Sequence, residues 1–304
     1  MKASAWKTFV KNKDLLLIMT PGLLKIFIFA YLPMIGVVLA FKDFRYDLGI
    51  FGSEWVGFKN FEFFFNSQFA FRLIRNTILY ELGYMIITTL VALVLAVLLN
   101  EISSRFTKLY QTSMFLPYFL SWIVVYYVVY AFLDMKHGLV NNTLVSLGLE
   151  AKNWYLDSAP WPYLLNIISL WKKIGFSMLV YYAGILAINQ EYYEAARIDG
   201  ASRFQMAVRI TIPVLMPLVS ILLILSIGGM MSGDFGLHYF IPGTSGLTYP
   251  TTDIIDTFVY RALTEIGNVG MGAAVGFFQS AVGLVLVLLA NYIVRLINEE
   301  NSLW

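Results

Sequence analysis

Gly243-Thr244-Ser245-Gly246 has the G-x-S-G form that can present a serine as an acyl-transfer nucleophile. Such a serine needs a base to remove its proton. The two histidines of the chain, His137 and His238, both precede Ser245 and fall in loops or at the edges of apolar runs. Ser245 itself sits in a Pro/Gly loop, where turn chemistry accounts for it. No catalytic residue is therefore assigned. The absence of cysteine removes disulfides, thiolate metal sites and thiol nucleophiles. Two histidines among scattered carboxylates do not make a metal site. No G-x4-G-K-[ST] loop is present to cradle a nucleotide, and a formal charge of +2 gives no basis for a nucleic-acid partner.

Two polar features stand out against the apolar background. Lys172 and Lys173, beside Trp171, lie well inside an apolar segment. Cations at bilayer depth are costly and mark pathways or ion pairs. They line a cavity, or this stretch lies outside the bilayer, or they pair with carboxylates of another subunit. Tyr126, Tyr127 and Tyr130 could offer aromatic faces to a cargo, although interfacial belts use the same residues.

The second feature is the polar run 189–213 between two apolar stretches. Asn189 is suited to an N-cap, with Glu191 in the first turn where a carboxylate suits the helix dipole. Asp199-Gly200 can end that short helix, because glycine accepts the left-handed conformation. Ala201 to Ile210 can form a second short helix, with Pro213 opening the next apolar segment. Ala195 and Ala196 give the first helix a face without bulk, which another backbone could approach closely. Arg197, Arg203 and Arg209 keep the run cationic, favouring the cytoplasmic side. A solvated hairpin and a docking element both remain open at this point.

An oily scaffold must position these residues. The chain of 304 residues is 59% hydrophobic and 13% charged, against roughly 25% charged in a soluble domain. Six spans are expected, at about 21–41, 76–99, 112–133, 163–188, 214–231 and 270–297, each with roughly the 20 residues a bilayer core requires. Thr20-Pro21 reads as N-cap and first helical residue of the first span, and Asn76-Thr77 opens the second. Residues 42–75, rich in phenylalanine, suit an outer-surface lobe or interfacial segment. Gly272 and Gly276 have the spacing that lets membrane helices approach. Four lysines precede the first apolar run, yet that run from Leu15 to Phe41 exceeds the roughly 7–15 residues of a signal-peptide core. With both ends inside, the inner segments hold Lys2, Lys7, Lys11, Lys13, Arg105, Lys108, Arg197, Arg203, Arg209 and Arg295. The opposite side holds Lys42, Arg45, Lys59, Arg72, Arg75, Lys136, Lys152 and Arg261, several of them in long loops that count less. No internal repeat is visible, which argues against folds of two matching halves.

Glu194-Ala195-Ala196, then Gly200, Ile210 and Pro213, resemble the E-A-A-x3-G-x9-I-x-L-P loop of ABC importer permeases, with Ile212 standing in place of leucine. The first span (T-P-G-L-L-K-I-F-I-F-A-Y-L-P), W-V-G-F-K-N-F, L-P-Y-F-L-S-W, S-L-W-K-K-I-G-F and D-I-I-D-T-F-V-Y-R are similar to the polysaccharide/oligosaccharide branch of the maltose-type sugar permeases. The likeness runs from Thr20 to Ile297.

That resemblance implies an all-α polytopic membrane protein of six transmembrane helices with the type I ABC importer permease fold. It implies a bacterial plasma-membrane location with both termini cytoplasmic: segment 1–20, permease domain 21–297 and tail 298–304. It implies a sugar-polymer fragment as substrate and an extracellular lipid-anchored sugar-binding protein. It also implies a second, homologous permease subunit and two ATPase subunits that bind ATP and Mg, with no cofactor in this chain. Residues 189–213 become the coupling loop, seated in a cleft of the ATPase. There Glu194 would pair with a cation, Gly200 form the turn and Ala195 and Ala196 allow close approach, beside Arg197 and Asp199. Trp171, Lys172, Lys173, Tyr126 and Tyr130 become candidates for the substrate pathway, Trp171 by stacking on a pyranose face. In some such importers one permease subunit alone holds the sugar. The alternative is a secondary carrier or channel in which 189–213 is a mere connector.

Overall fold

The computed structural model describes residues 12–299 and 302–303; the expectations for Lys2, Lys7 and Lys11 lie outside the described residues. The chain divides into two compact units, Met1–Asn66 with Ala262–Phe277, and Ser67–Arg261 with Phe278–Trp304.

In the first unit, helix α1 (Lys13–Ile26) continues through a π-turn, Phe27–Tyr31, into a 3-10 stretch, Leu32–Phe41. Thr20-Pro21 lies inside α1 rather than at its start. The Thr20 hydroxyl donates to the Leu16 carbonyl at 2.7 Å. The proline removes one donor, that of the Leu17 carbonyl, and the ladder on either side carries the helix past it. A small lobe follows, with β1 (Lys42–Asp43) antiparallel to β2 (Glu54–Trp55). The buried Lys42 ammonium donates to the Ile50 and Phe51 carbonyls at 2.8 and 3.1 Å. It also lies 5.0 Å from the Trp55 ring, so hydrogen bonds and a π face replace its water.

The second unit opens with α2 (Ala70–Glu101) and α3 (Ser104–Phe115). After them come α4 (Trp122–Leu133), α5 (Trp161–Leu186) and α6 (Gln190–Ile198). The chain then forms α7 (Arg203–Met206), α8 (Ile212–Gly228), α9 (Phe235–Phe240) and α10 (Ile255–Arg261). The last helix, α11 (Val269–Ile297), begins in the first unit and ends in the second. Among the described residues two larger apolar clusters hold this unit. Tyr80, Val125, Trp161, Leu165, Leu237 and Ile254 belong to one, and Ala92, Ala96, Met178, Ile185, Leu215 and Val219 to the other. Ala92 and Ala96, one turn apart on α2, are completely buried, as small side chains at a close crossing should be.

Three further expected boundaries move. Asn76 and Thr77 do not open the second span, because α2 begins at Ala70 and buries both. Asn76 Nδ2 donates to the Asp253 and Pro250 carbonyls, and the Ile255 N–H donates to Thr77 Oγ1 at 3.1 Å. These two polar residues grip the 232–268 loop instead of capping a helix. The third segment is not one rod: 105–119 and Trp122–Leu133 meet at a bend of 99°. Pro117 sits in a 3-10 turn, Leu120 is extended and Ser121 caps α4. Finally, the short helix expected over Ala201–Ile210 is the beginning of the fifth span. Residues Arg203–Gly228 form one helical run of 26 residues, in which a π-turn at Ala207–Thr211 precedes Pro213. The wider turn loosens the i→i−4 ladder there, so proline's missing donor breaks nothing. Among the described residues five helical runs are long and apolar enough to cross a membrane, or six with the bent pair counted as one span.

Candidate functional site

The 189–213 excursion is built from local signals. Asn189 Oδ1 accepts the Glu191 N–H, and Asn189 Nδ2 donates to the Glu191 carboxylate, both at 3.1 Å. At the other end Asp199 is the C-cap, and Gly200 has φ +77°. The Gly200 N–H donates to the Arg197 carbonyl and the Ala201 N–H to the Ala196 carbonyl, which closes the last turn of α6. Ser202 and Gln205 form a reciprocal capping box at α7. Underneath, Ile188, Tyr193 and Met206 make a small core, joined by Ala196, Ala201 and Ile210. Tyr193 Oη and Thr211 Oγ1 lie 2.9 Å apart, tying α6 to the fifth span.

Glu194, Ala195, Arg197, Asp199 and Gly200 are exposed along this excursion. Ala196 is not on the bulk-free outer face with Ala195; it packs inward, because neighbours on a helix point about 100° apart. Two further residues, unremarked in the sequence, flank the Gly200 turn: Ile198 is 87% and Phe204 77% exposed. Their signal was an isolated apolar residue on each side of a glycine in a polar run. Arg203 reaches Glu101 at the end of α2 at 2.9 Å. Behind it lies a polar cleft of about 440 Å³ that includes Asn100, Gln190, Arg197 and Thr211 in its lining.

A second site is a cavity of about 420 Å³ between α2, α5 and α8. Lys173 lines it, with Glu81, Tyr84, Thr88, Thr89 and Phe176. Lys173 Nζ is 2.8 Å from an Asp234 carboxylate oxygen. Asp234 also caps α9, accepting the Leu237 N–H. Lys172 turns away: it is 8% exposed and donates to the Tyr118 carbonyl at 2.8 Å. Trp171 is exposed elsewhere on α5, Tyr126 packs against the core and Tyr130 rests on Tyr126 and Tyr155. Of the five pathway candidates, the cavity brings in Lys173. Glu81 and Asp234 were missed because they lie far from Lys173 along the chain.

Among the described residues no hydrogen bond joins Ser245 to a histidine. Its Oγ accepts the Leu247 N–H and its carbonyl accepts from Thr248. His238 is buried, with Nδ1 2.8 Å from the Thr252 carbonyl and Nε2 3.0 Å from Tyr84 Oη. Burial holds its pKa down at about 4, so it is a neutral structural imidazole.

Comparison with known proteins adds the family. The model for the binding-protein-dependent transport system inner membrane component matches residues 89–299. Protein LplB of Bacillus subtilis (strain 168) is 36% identical over 302 residues, covering 99% of this chain and 94% of the relative. The polygalacturonan/rhamnogalacturonan transport system permease protein YteP of the same organism is 36% identical over 293 residues, covering 96% of this chain and 91% of its own. Among solved structures, a bacterial ABC transporter involved in the import of the acidic polysaccharide alginate matches with a TM-score of 0.86 at 32% identity, covering 96% of this chain and 99% of that one.

Proposed function

The chain belongs to the binding-protein-dependent transport system inner membrane component family, and from that premise we propose that it forms half of the pathway of an ATP-driven importer of oligosaccharides or polysaccharide fragments. It is a multi-pass membrane protein with the all-α, six-span type I permease fold. Two relatives named or described for polysaccharide import support the substrate class. The partners are a second, homologous permease subunit, two cytoplasmic ATPase subunits and an extracellular lipid-anchored sugar-binding protein. ATP and Mg belong to the ATPases, and this chain carries no cofactor. Both termini, with segments 1–20 and 298–304, lie on the cytoplasmic side together with residues 189–213.

The observation that carries this reading is the outer surface of α6 and its turn. Ile198 and Phe204 stand out on either side of Gly200, on a frame stiffened by the Asn189 cap, the Ser202–Gln205 box and the Tyr193–Thr211 bond. Apolar side chains this exposed on a rigid polar turn suit an anchor for a partner's cleft. Glu194 offers a charge to the ATPase, Ala195 allows close approach, and Arg197 and Asp199 flank them. ATP binds the state in which the two ATPases close; that difference in affinity shifts the equilibrium. The excursion is continuous with the fifth span through Arg203–Gly228, so its displacement moves a membrane helix and, with it, a wall of the Lys173 cavity.

The test is reconstitution. The importer should take up glycan only with both permeases, the ATPases, ATP and the binding protein. A carrier or channel would move cargo through this chain alone on an ion gradient; such activity would overturn the proposal. Within the complex, Ile198→Asp with Phe204→Asp should abolish ATPase pull-down while leaving the two permeases paired.

A further inference from the structure

We propose that Lys172 is a positioning residue: its ammonium fastens the bend between α3 and α4, and thereby the aromatic wall of the transport cavity. The bend interrupts the third apolar segment, between 105–119 and Trp122–Leu133. At such a break the last carbonyls lose their i+4 donors, and hydrocarbon supplies no water to replace them. The Pro117 carbonyl takes the Leu120 N–H at 3.1 Å. The Tyr118 carbonyl takes Lys172 Nζ at 2.8 Å. The ammonium is further covered by the Trp122 ring at 5.1 Å and the Tyr118 ring at 5.6 Å. Among the described residues it makes no ion pair, whereas its neighbour Lys173 holds Asp234. A buried cation facing one carbonyl and two π faces has an environment suited to hold a backbone break together.

The residues around Lys172 on α5 complete the device. Gly175, three positions on and so on the same helix face, leaves no room for a Cβ against the Met114 backbone. The glycine lets α3 close on α5, and the lysine pins the turn that follows. Phe176, the next residue, lines the cavity. Its ring stacks on Tyr118 at 4.9 Å and 13° between planes, and Tyr118 stacks on Phe115 at 5.5 Å and 11°. Lys172 therefore holds, through a backbone oxygen, the ring that backs the cavity wall. Trp122 extends the same contact to α9, because a Cβ on Gly236 would strike its indole.

The test uses the complete importer and the absence of native cysteine in this chain. Spin labels at Thr112→Cys and Val128→Cys flank the bend. Wild type should give one narrow distance distribution, Lys172→Met a broad one, and Lys172→Arg a narrow one again, since a guanidinium can also donate to the carbonyl and lie over the rings. Lys172→Gln, which keeps an N–H donor, should fall between and serves if the Met variant does not assemble. The second readout rests on the importer reading. The oligosaccharide concentration giving half-maximal stimulation of ATP hydrolysis, probed with tetragalacturonate and an alginate tetrasaccharide, should rise about tenfold in Lys172→Met at unchanged maximal rate, equivalent to about 1.4 kcal/mol. An unaltered label distribution in Lys172→Met and Lys172→Gln would overturn the inference. Wild type unresponsive to either glycan would overturn the importer reading, and the label distances would still judge the bend.

Discussion

Lys172 and Lys173 are adjacent in the chain, yet one ammonium meets the Tyr118 carbonyl and the other the Asp234 carboxylate, each at 2.8 Å. Consecutive positions on α5 thus serve two different attachments. One secures the α3–α4 bend, and the other secures the start of α9 at the edge of the cavity.

The Lys173–Asp234 pair is partly open, with side-chain exposures of 36% and 19%, so its worth is discounted for solvent. Asp234→Asn keeps the capping oxygen for Leu237 and should cost about 1–2 kcal/mol. Asp234→Ala also removes the cap and should cost about 1 kcal/mol more. Lys173→Met combined with Asp234→Asn should recover part of the loss, because no charge is left alone. Thermal unfolding of the purified complex measures these three variants and Lys173→Met alone, and strictly additive losses would show that the pair contributes nothing.

Gly200 has φ +77° and no atom within 4 Å of where a Cβ would stand. Any side chain there carries the left-handed strain of about 1–2 kcal/mol, with no clash inside the chain. Gly200→Ala and Gly200→Trp should therefore melt alike when the permease pair is studied without ATPases. In the full importer the Trp variant should lose far more ATP-coupled uptake, because its bulk meets the partner. Equal uptake by the two variants would remove the docking surface from this turn.

His238 gives a pH signature. Its folded pKa is pushed down to about 4 from 6.5 by burial. The unfolded chain takes up a proton near pH 6.5 that the folded chain resists until about pH 4. Stability from this group is complete above pH 6.5 and falls as pH drops toward 4, by roughly 3 kcal/mol in all. Replacing His238 with Gln should flatten this acid limb of the melting profile; an unchanged limb would mean another group sets it.

Ser202 supplies half of the capping box at α7. Ser202→Ala should cost about 1 kcal/mol. The loss should be local, seen as faster amide exchange at Gln205 and Met206 with α2 and α5 unchanged. Protection that stays the same would show that the Ile188–Tyr193–Met206 core alone holds the excursion.

How much of this was legible depends on the range of the interaction. Asn189 as a cap, Gly200 as a left-handed turn and the approximate helical segments follow from residues within one turn of each other, or from runs of apolar side chains that have no other way to satisfy their backbone. Each of those choices is made by neighbours in the chain. The straight third span failed because the break around Pro117 frees the Tyr118 carbonyl, and what meets that oxygen is Lys172, 54 residues beyond Tyr118. Asn76 looked like a cap and proved to be an anchor for the 250–255 segment.

The amino-acid order by itself determined an oily, cysteine-free bundle with a capped polar excursion, since composition and i to i+4 chemistry are local properties. Tertiary structure alone decided which lysine faces the cavity, that Glu81 lines it while Asp234 pairs with that lysine, and that Ala196 points inward. Those outcomes depend on which helix faces meet. A shift of one residue turns a side chain by about 100°, and distant carbonyls and carboxylates select which of two neighbouring lysines they receive.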